Sequence, residues 1–240
     1  MSAMEKDLSE LVEKLKRAAG TNLKSVVLYG SGVSEEFQPK HSDLNVLSVL
    51  DWLDAAELEK LTSAAAWWVR KGHPAPLVFT LEELRRSADV FAIELLDIRA
   101  RRRVLFGEDV FEGFEVPMNL HREQVERELR TNLIRLRQAY LAAPRNNRAL
   151  EQLMNASVST FAALFRHALI ALGEPVPQSK RAVVDALAAL LRFDAAGFHA
   201  VLDAREGRRR EKNVPATFAS YLGAATHVAE EVDRRLAAGR

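Results

Sequence analysis

A chain of 240 residues, 48% of them hydrophobic and 28% charged, is long enough for two packed domains and too apolar for a disordered or fibrous protein. Its 34 basic and 33 acidic side chains leave a formal charge of +1, which removes any global electrostatic case for a nucleic-acid or membrane partner. Cysteine is absent, so disulfides, thiolate nucleophiles and thiolate metal sites are excluded, and any metal must sit on oxygen or imidazole ligands.

The opening segment is charged throughout and lacks the apolar stretch of a signal peptide, and no later run is long and apolar enough to cross a bilayer. A cytoplasmic protein with no membrane partner is the expectation. Leu8, Leu11, Val12 and Leu15 recur at helical spacing, and Gly20 stops that first helix. Leu23 to Tyr29 is rich in β-branched and aromatic residues and meets Gly30-Ser31-Gly32, which predicts a strand running into a tight turn. After a polar stretch, Leu44 to Leu50 predicts a second strand, and Ala55 to Arg70 a helix ended by Gly72 and Pro74.

Pro76 to Thr80 predicts a short strand and Leu81 to Ala88 a short helix. The apolar run Phe91 to Ile98, which carries two acids, reads as a further strand, and Leu105 to Asp109 as a turn. From Asn119, placed as a helix cap, the texture turns helical: to about Ala142, then Asn147 to Leu172, Ser179 to Arg192, Asp194 to Ala204 and Pro215 to Ala238. Strands alternating with helices and then helices alone predict an α/β domain over 1–115 and a mostly antiparallel helical bundle over 116–240.

The informative constellation is LYGSGVSEEFQPKHSDLNVLSVL. At Gly30-Ser31 and Asp43-Leu44-Asn45 it resembles the DNA polymerase beta-like nucleotidyltransferase superfamily, whose signature is a Gly-Ser turn, about a dozen residues, then acid, apolar, acid. The resemblance covers roughly Asn22 to Asp109, where the second portion is similar to bacterial minimal nucleotidyltransferases. It implies a nucleotidyltransferase fold, with Gly30 and Ser31 binding nucleotide phosphates through backbone amides and a hydroxyl.

The resemblance further implies that Asp43 holds magnesium, that a third acid comes from a neighbouring strand, and that a nucleoside monophosphate passes from a triphosphate to a hydroxyl acceptor. Glu94 is the candidate for that third acid, catalytic and metal-binding alike, with Asp97 as the alternative. Asn45 departs from the pattern: it stands where the second carboxylate belongs, and its amide oxygen ligates a metal without adding charge. Either one metal suffices or the site is degenerate. The acceptor is left open among a small molecule, a protein hydroxyl and an RNA end.

The helical half is similar, more loosely, to the helical domains of kanamycin-type nucleotidyltransferases and of HEPN proteins, which complete a cleft over the nucleotide. Two alternatives stand beside transfer: a nucleotide- or RNA-binding protein without catalysis, and an interaction protein, antitoxin-like or a homodimer, whose cleft is vestigial.

Other features read as structural. The runs Arg99, Arg101, Arg102, Arg103 and Arg208, Arg209, Arg210, Lys212 are solvated faces before they are phosphate grips. Of Trp67 and Trp68, about 100° apart on a helix, one is expected in the core. Arg192 and His199 lack the polar residue of the HEPN motif, and the six histidines lack metal-ligand spacing. His41 alone falls near the phosphate turn.

Overall fold

The computed structural model describes residues 2–33, 43–143, 146–208 and 213–238, which form two compact units, Met1–Pro117 and Met118–Arg240. In the first unit, helix α1 (Ala3–Ala19) starts where the Ser2 hydroxyl accepts the Glu5 N–H, and it ends before Gly20 at φ 56°. Strands β1 (Leu23–Tyr29) and β2 (Asn45–Leu50) pair antiparallel, from Leu23 opposite Leu50 to Tyr29 opposite Asn45. Helix α2 (Ala55–Arg70), capped by Asp54, crosses over to β3 (Leu77–Thr80), which runs parallel to β2. Helices α3 (Leu81–Arg86) and α4 (Ala92–Ala100) then lead to β4 (Arg102–Gly107), antiparallel to β1 on its other side. The sheet order is β3-β2-β1-β4.

The period of two along the strands divides the core. Val26, Leu28, Val46 and Leu50 pack on one side with Leu8, Leu11 and Leu15 of α1 and with Leu61 and Trp68 of α2. Val27, Leu47 and Val49 pack on the other side with Leu84, Leu95, Ile98, Phe111 and Phe114. Trp68 is fully buried, while Trp67 lies against the first cluster with the ammonium groups of Lys14 and Lys71 over its ring.

Two expectations for this unit are corrected. Phe91 to Ile98 is not a strand: Ala92, Leu95 and Ile98 are buried at intervals of three, and the segment forms α4. Leu105 to Asp109 is not simply a turn, because Arg102–Gly107 forms β4 by pairing with β1. Both misreadings share one cause. A short apolar run carries no length to separate helix from strand, and the partner strand decides.

The second unit contains α5 (Met118–Ala142), α6 (Asn147–Ala171), α7 (Lys180–Leu191), α8 (Ala196–Arg205) and α9 (Val214–Ala238), with no strand among its described residues. Asn119 lies in the first turn of α5 instead of capping it. The side chains of Asn146 and Ser179 do cap α6 and α7. The core is aromatic: the rings of Phe198 and Tyr221 are 4.3 Å apart, those of Phe165 and Phe198 4.9 Å. Gly197 lets α8 approach α9 so closely that a Cβ there would stand 2.3 Å from the Tyr221 backbone nitrogen. No helix among the described residues is long and apolar enough to cross a membrane.

Candidate functional site

The turn that follows β1 is built by two glycines for different reasons. Gly30 takes φ 75°, a backbone conformation open to glycine and costly for residues with a Cβ. Gly32 has no room for a side chain, since a Cβ would meet Leu44 Cδ2 at 2.8 Å and Leu28 Cδ1 at 3.3 Å. The Gly30 N–H donates to the Arg101 carbonyl at 3.1 Å, which ties the turn to the entry of β4. Ser31 belongs to the same 3₁₀ turn, Gly30–Val33, but its side chain lies outside the described residues, as does His41.

Across the β1–β2 pair, Asn45 stands opposite Tyr29, and its Nδ2 lies 3.6 Å from where a Gly30 Cβ would be. Asn45 therefore faces the turn. Asp43, exposed, lies just before β2 at the same end of the sheet. Next to it, the Leu44 N–H donates to His73 Nδ1 at 3.4 Å, and the His73 ring lies 4.3 Å from buried Trp68. Burial holds the His73 imidazole below its ordinary pKa, against the opposing pull of the Asp43 and Asp7 carboxylates. Burial likewise raises the half-buried Tyr29 phenol above its usual value.

The structure thus sets Asn45 against Gly30, with Asp43 two residues before Asn45 in the chain. Glu94 sits on the exposed side of α4 and not on a strand, and Asp97 is on the same helix. The strands that flank β2 are β1 and β3, with sequences LKSVVLY and LVFT, and neither carries an acid. Among the described residues no three histidine, aspartate or glutamate side chains gather as a metal site. The donor set fits one magnesium ion, which commonly binds through one or two carboxylates plus substrate phosphates. It does not fit a pair of divalent ions about 3.5–4 Å apart, whose mutual repulsion several carboxylates must offset.

The arginine run is one block in sequence, and tertiary structure separates its members. Arg102 reaches Asp109 through Nε at 2.9 Å and Nη2 at 2.7 Å. Arg103 Nη1 donates to Glu5 at 2.8 Å. Arg101 and Arg99 make no such side-chain contact among the described residues. His73 was also missed, because only the α2 crossover brings it to β2. In the second unit, Arg192 closes α7 in the left-handed region at φ 58°. His199 donates from Nε2 to Asp185 at 2.8 Å and accepts from Arg181 at 2.9 Å, so this pair serves a helix end and an ion network. Arg208 pairs with Glu206, while Arg209, Arg210 and Lys212 lie outside the described residues.

No protein-family model and no characterised protein matches the chain by sequence. Among solved structures it is similar to spectinomycin adenyltransferase AAD(9) from Enterococcus faecialis, determined with ATP and spectinomycin: 15% identity, a TM-score of 0.57, and coverage of 92% of this chain and 99% of that one. That likeness shows the fold. The expected architecture holds, a nucleotidyltransferase-type four-stranded α/β unit followed by a helical unit.

Proposed function

We propose that the protein binds a nucleoside triphosphate at the Gly30-Ser31 turn of its amino-terminal, nucleotidyltransferase-like domain, with Asp43 and the nucleotide phosphates holding a single magnesium ion. The observation that carries this reading is the convergence of the turn, Asn45 and Asp43 at one end of the β1–β2 pair. The Gly30 N–H is given to the Arg101 carbonyl, so the later amides of the tight turn are the ones that favour an anion, and Asp43 adds one hard oxygen ligand. Magnesium, when bound, neutralises phosphate charge; the chain's part is to orient the triphosphate.

A second reading is transfer of the nucleoside monophosphate to a hydroxyl acceptor, small molecule, protein or RNA, with Asp43 and Glu94 as the working carboxylates. The likeness to an adenyltransferase determined with ATP supports it. The neutral Asn45 and the acid-free β1 and β3 weigh against it, and binding without turnover is the first reading for that reason.

Thermal unfolding with ATP, GTP, CTP and UTP, with and without magnesium, tests both. A ligand at about a hundred times its Kd adds ~2.7 kcal/mol, which in a protein of this size raises Tm by roughly 5–10 °C. The expected result is a magnesium-dependent rise in the wild type that Asp43→Ala abolishes. No rise with any nucleotide overturns the nucleotide reading. Release of pyrophosphate in the presence of an acceptor, lost in Asp43→Ala and in Glu94→Gln, would promote the second reading to the first.

A further inference from the structure

Resting on the nucleotide reading above, we propose that Arg101 is a triphosphate-binding residue of this site, supplying through its guanidinium the positive charge that a second metal ion would otherwise bring. Three observations carry it. Arg101 stands at the turn itself, its carbonyl 3.1 Å from the Gly30 nitrogen, one position before the Tyr29–Arg102 pair. That hydrogen bond also takes the Gly30 N–H, which is then not available to a phosphate.

The second observation is elimination within the basic run. Arg102 is held by Asp109 and Arg103 by Glu5, each in a short ion pair, whereas the partly buried Arg101 side chain has no hydrogen-bond or ion-pair partner among the described residues. The backbone of Arg101 stands at the turn, and a guanidinium without a carboxylate among the described residues is free to make the planar bidentate contact that arginine offers phosphate oxygens.

The third is charge. Asn45 is neutral and β1 and β3 carry no acid, so among the described residues these strands add no carboxylate to that of Asp43 to offset two divalent ions. A triphosphate at neutral pH carries several negative charges that still need neutralising. A neutral Asn45 and an arginine at the turn without a carboxylate partner form a consistent set: the cation comes from the chain.

The test is equilibrium binding of ATP and AMP to the full chain, wild type and variants. Arg101→Ala should weaken ATP binding about 10- to 100-fold, the size of one charge-assisted contact, and change AMP binding less than about twofold. Arg101→Lys should recover part of the loss, as a point charge without the fork. Arg99→Ala, removing an exposed arginine two residues earlier, should leave ATP binding unchanged. Unaltered far-UV ellipticity confirms folding, which the unpartnered side chain leads one to expect. If the wild type binds ATP and Arg101→Ala binds it equally well, the proposal falls while the nucleotide reading stands. An equal loss in Arg99→Ala would reduce the effect to diffuse surface charge and overturn it too. A wild type that binds no nucleotide overturns both.

Discussion

Gly107→Ala is expected to cost the amino-terminal unit about 2–5 kcal/mol, the sum of a left-handed backbone penalty and of overpacking. Gly107 takes φ 75°, and a Cβ built on it would lie 1.8 Å from the Lys24 carbonyl oxygen and 2.8 Å from its carbon. These are backbone atoms in the β1–β4 ladder, where Gly107 stands opposite Ser25, so no rotamer change relieves the clash. Gly72→Ala is the control. It shares a positive φ, 92°, but meets nothing within 4 Å, and its expected cost is about 1–2 kcal/mol.

All three tryptophans, Trp52, Trp67 and Trp68, lie in the first unit, so urea unfolding followed by their fluorescence reads this unit. At an m-value of about 1–3 kcal/mol/M, the midpoint should fall by roughly 1 M or more for Gly107→Ala, and clearly less for Gly72→Ala. Equal shifts would mean that the close approach of β4 to β1 contributes nothing. The site should feel the same change. The other end of β4 holds the Gly30 turn through Arg101, so nucleotide-induced stabilisation is expected to shrink in Gly107→Ala along with the midpoint.

Acidification is expected to weaken the helical unit through a histidine pair that plays no part in the proposed site. His121 of α5 and His167 of α6 are fully buried, with Nε2 of the first 3.0 Å from Nδ1 of the second. Arg166 Nη2 lies 3.3 Å from His167 Nε2. A guanidinium only donates, so His167 accepts there and carries its proton on Nδ1, which it donates to His121. The His121 proton then sits on Nδ1, buried with no partner among the described residues. Burial first, then the neighbouring His167 and Arg122, push the His121 pKa down to about 4.

The sign follows from linkage. The unfolded chain takes up this proton near pH 6.5 and the folded chain resists it until about pH 4, so the contribution is fully present above pH 6.5 and is lost as pH falls to 4. At about 1.4 kcal/mol per unit, the loss is on the order of 3 kcal/mol. Far-UV ellipticity under urea, dominated by the long helices, should show it between pH 7 and pH 4.5. His121→Leu should be less stable at pH 7 by about 1–3 kcal/mol, because the His167 N–H loses its acceptor, yet should have a shallower pH slope. Identical slopes in wild type and variant would remove His121 as the cause.

Much of this protein was legible in its residues. The period of Leu8, Leu11, Val12 and Leu15, the β-branched run before Gly30, and the helical texture after Asn119 each follow from local stereochemistry, which a single chain carries in full. The Gly30–Gly32 turn was legible for the same reason: φ 75° at Gly30 favours glycine, and Gly32 lies against Leu44.

What the residues alone left open was every question of partnership. Phe91 to Ile98 is short enough to suit either period, and its burial on Val27 and Leu47 made it a helix. Arg102–Gly107 became a strand because β1 had a free edge to pair with, and that pairing set Arg101 beside Gly30 while Asp109 and Glu5 took the next two arginines. His73 reached Leu44 only through the turn that closes α2. Such contacts join residues far apart in the chain, from Gly30 to Arg101 and from Glu5 to Arg103, so they depend on loop closure and sheet order, which local propensity does not encode.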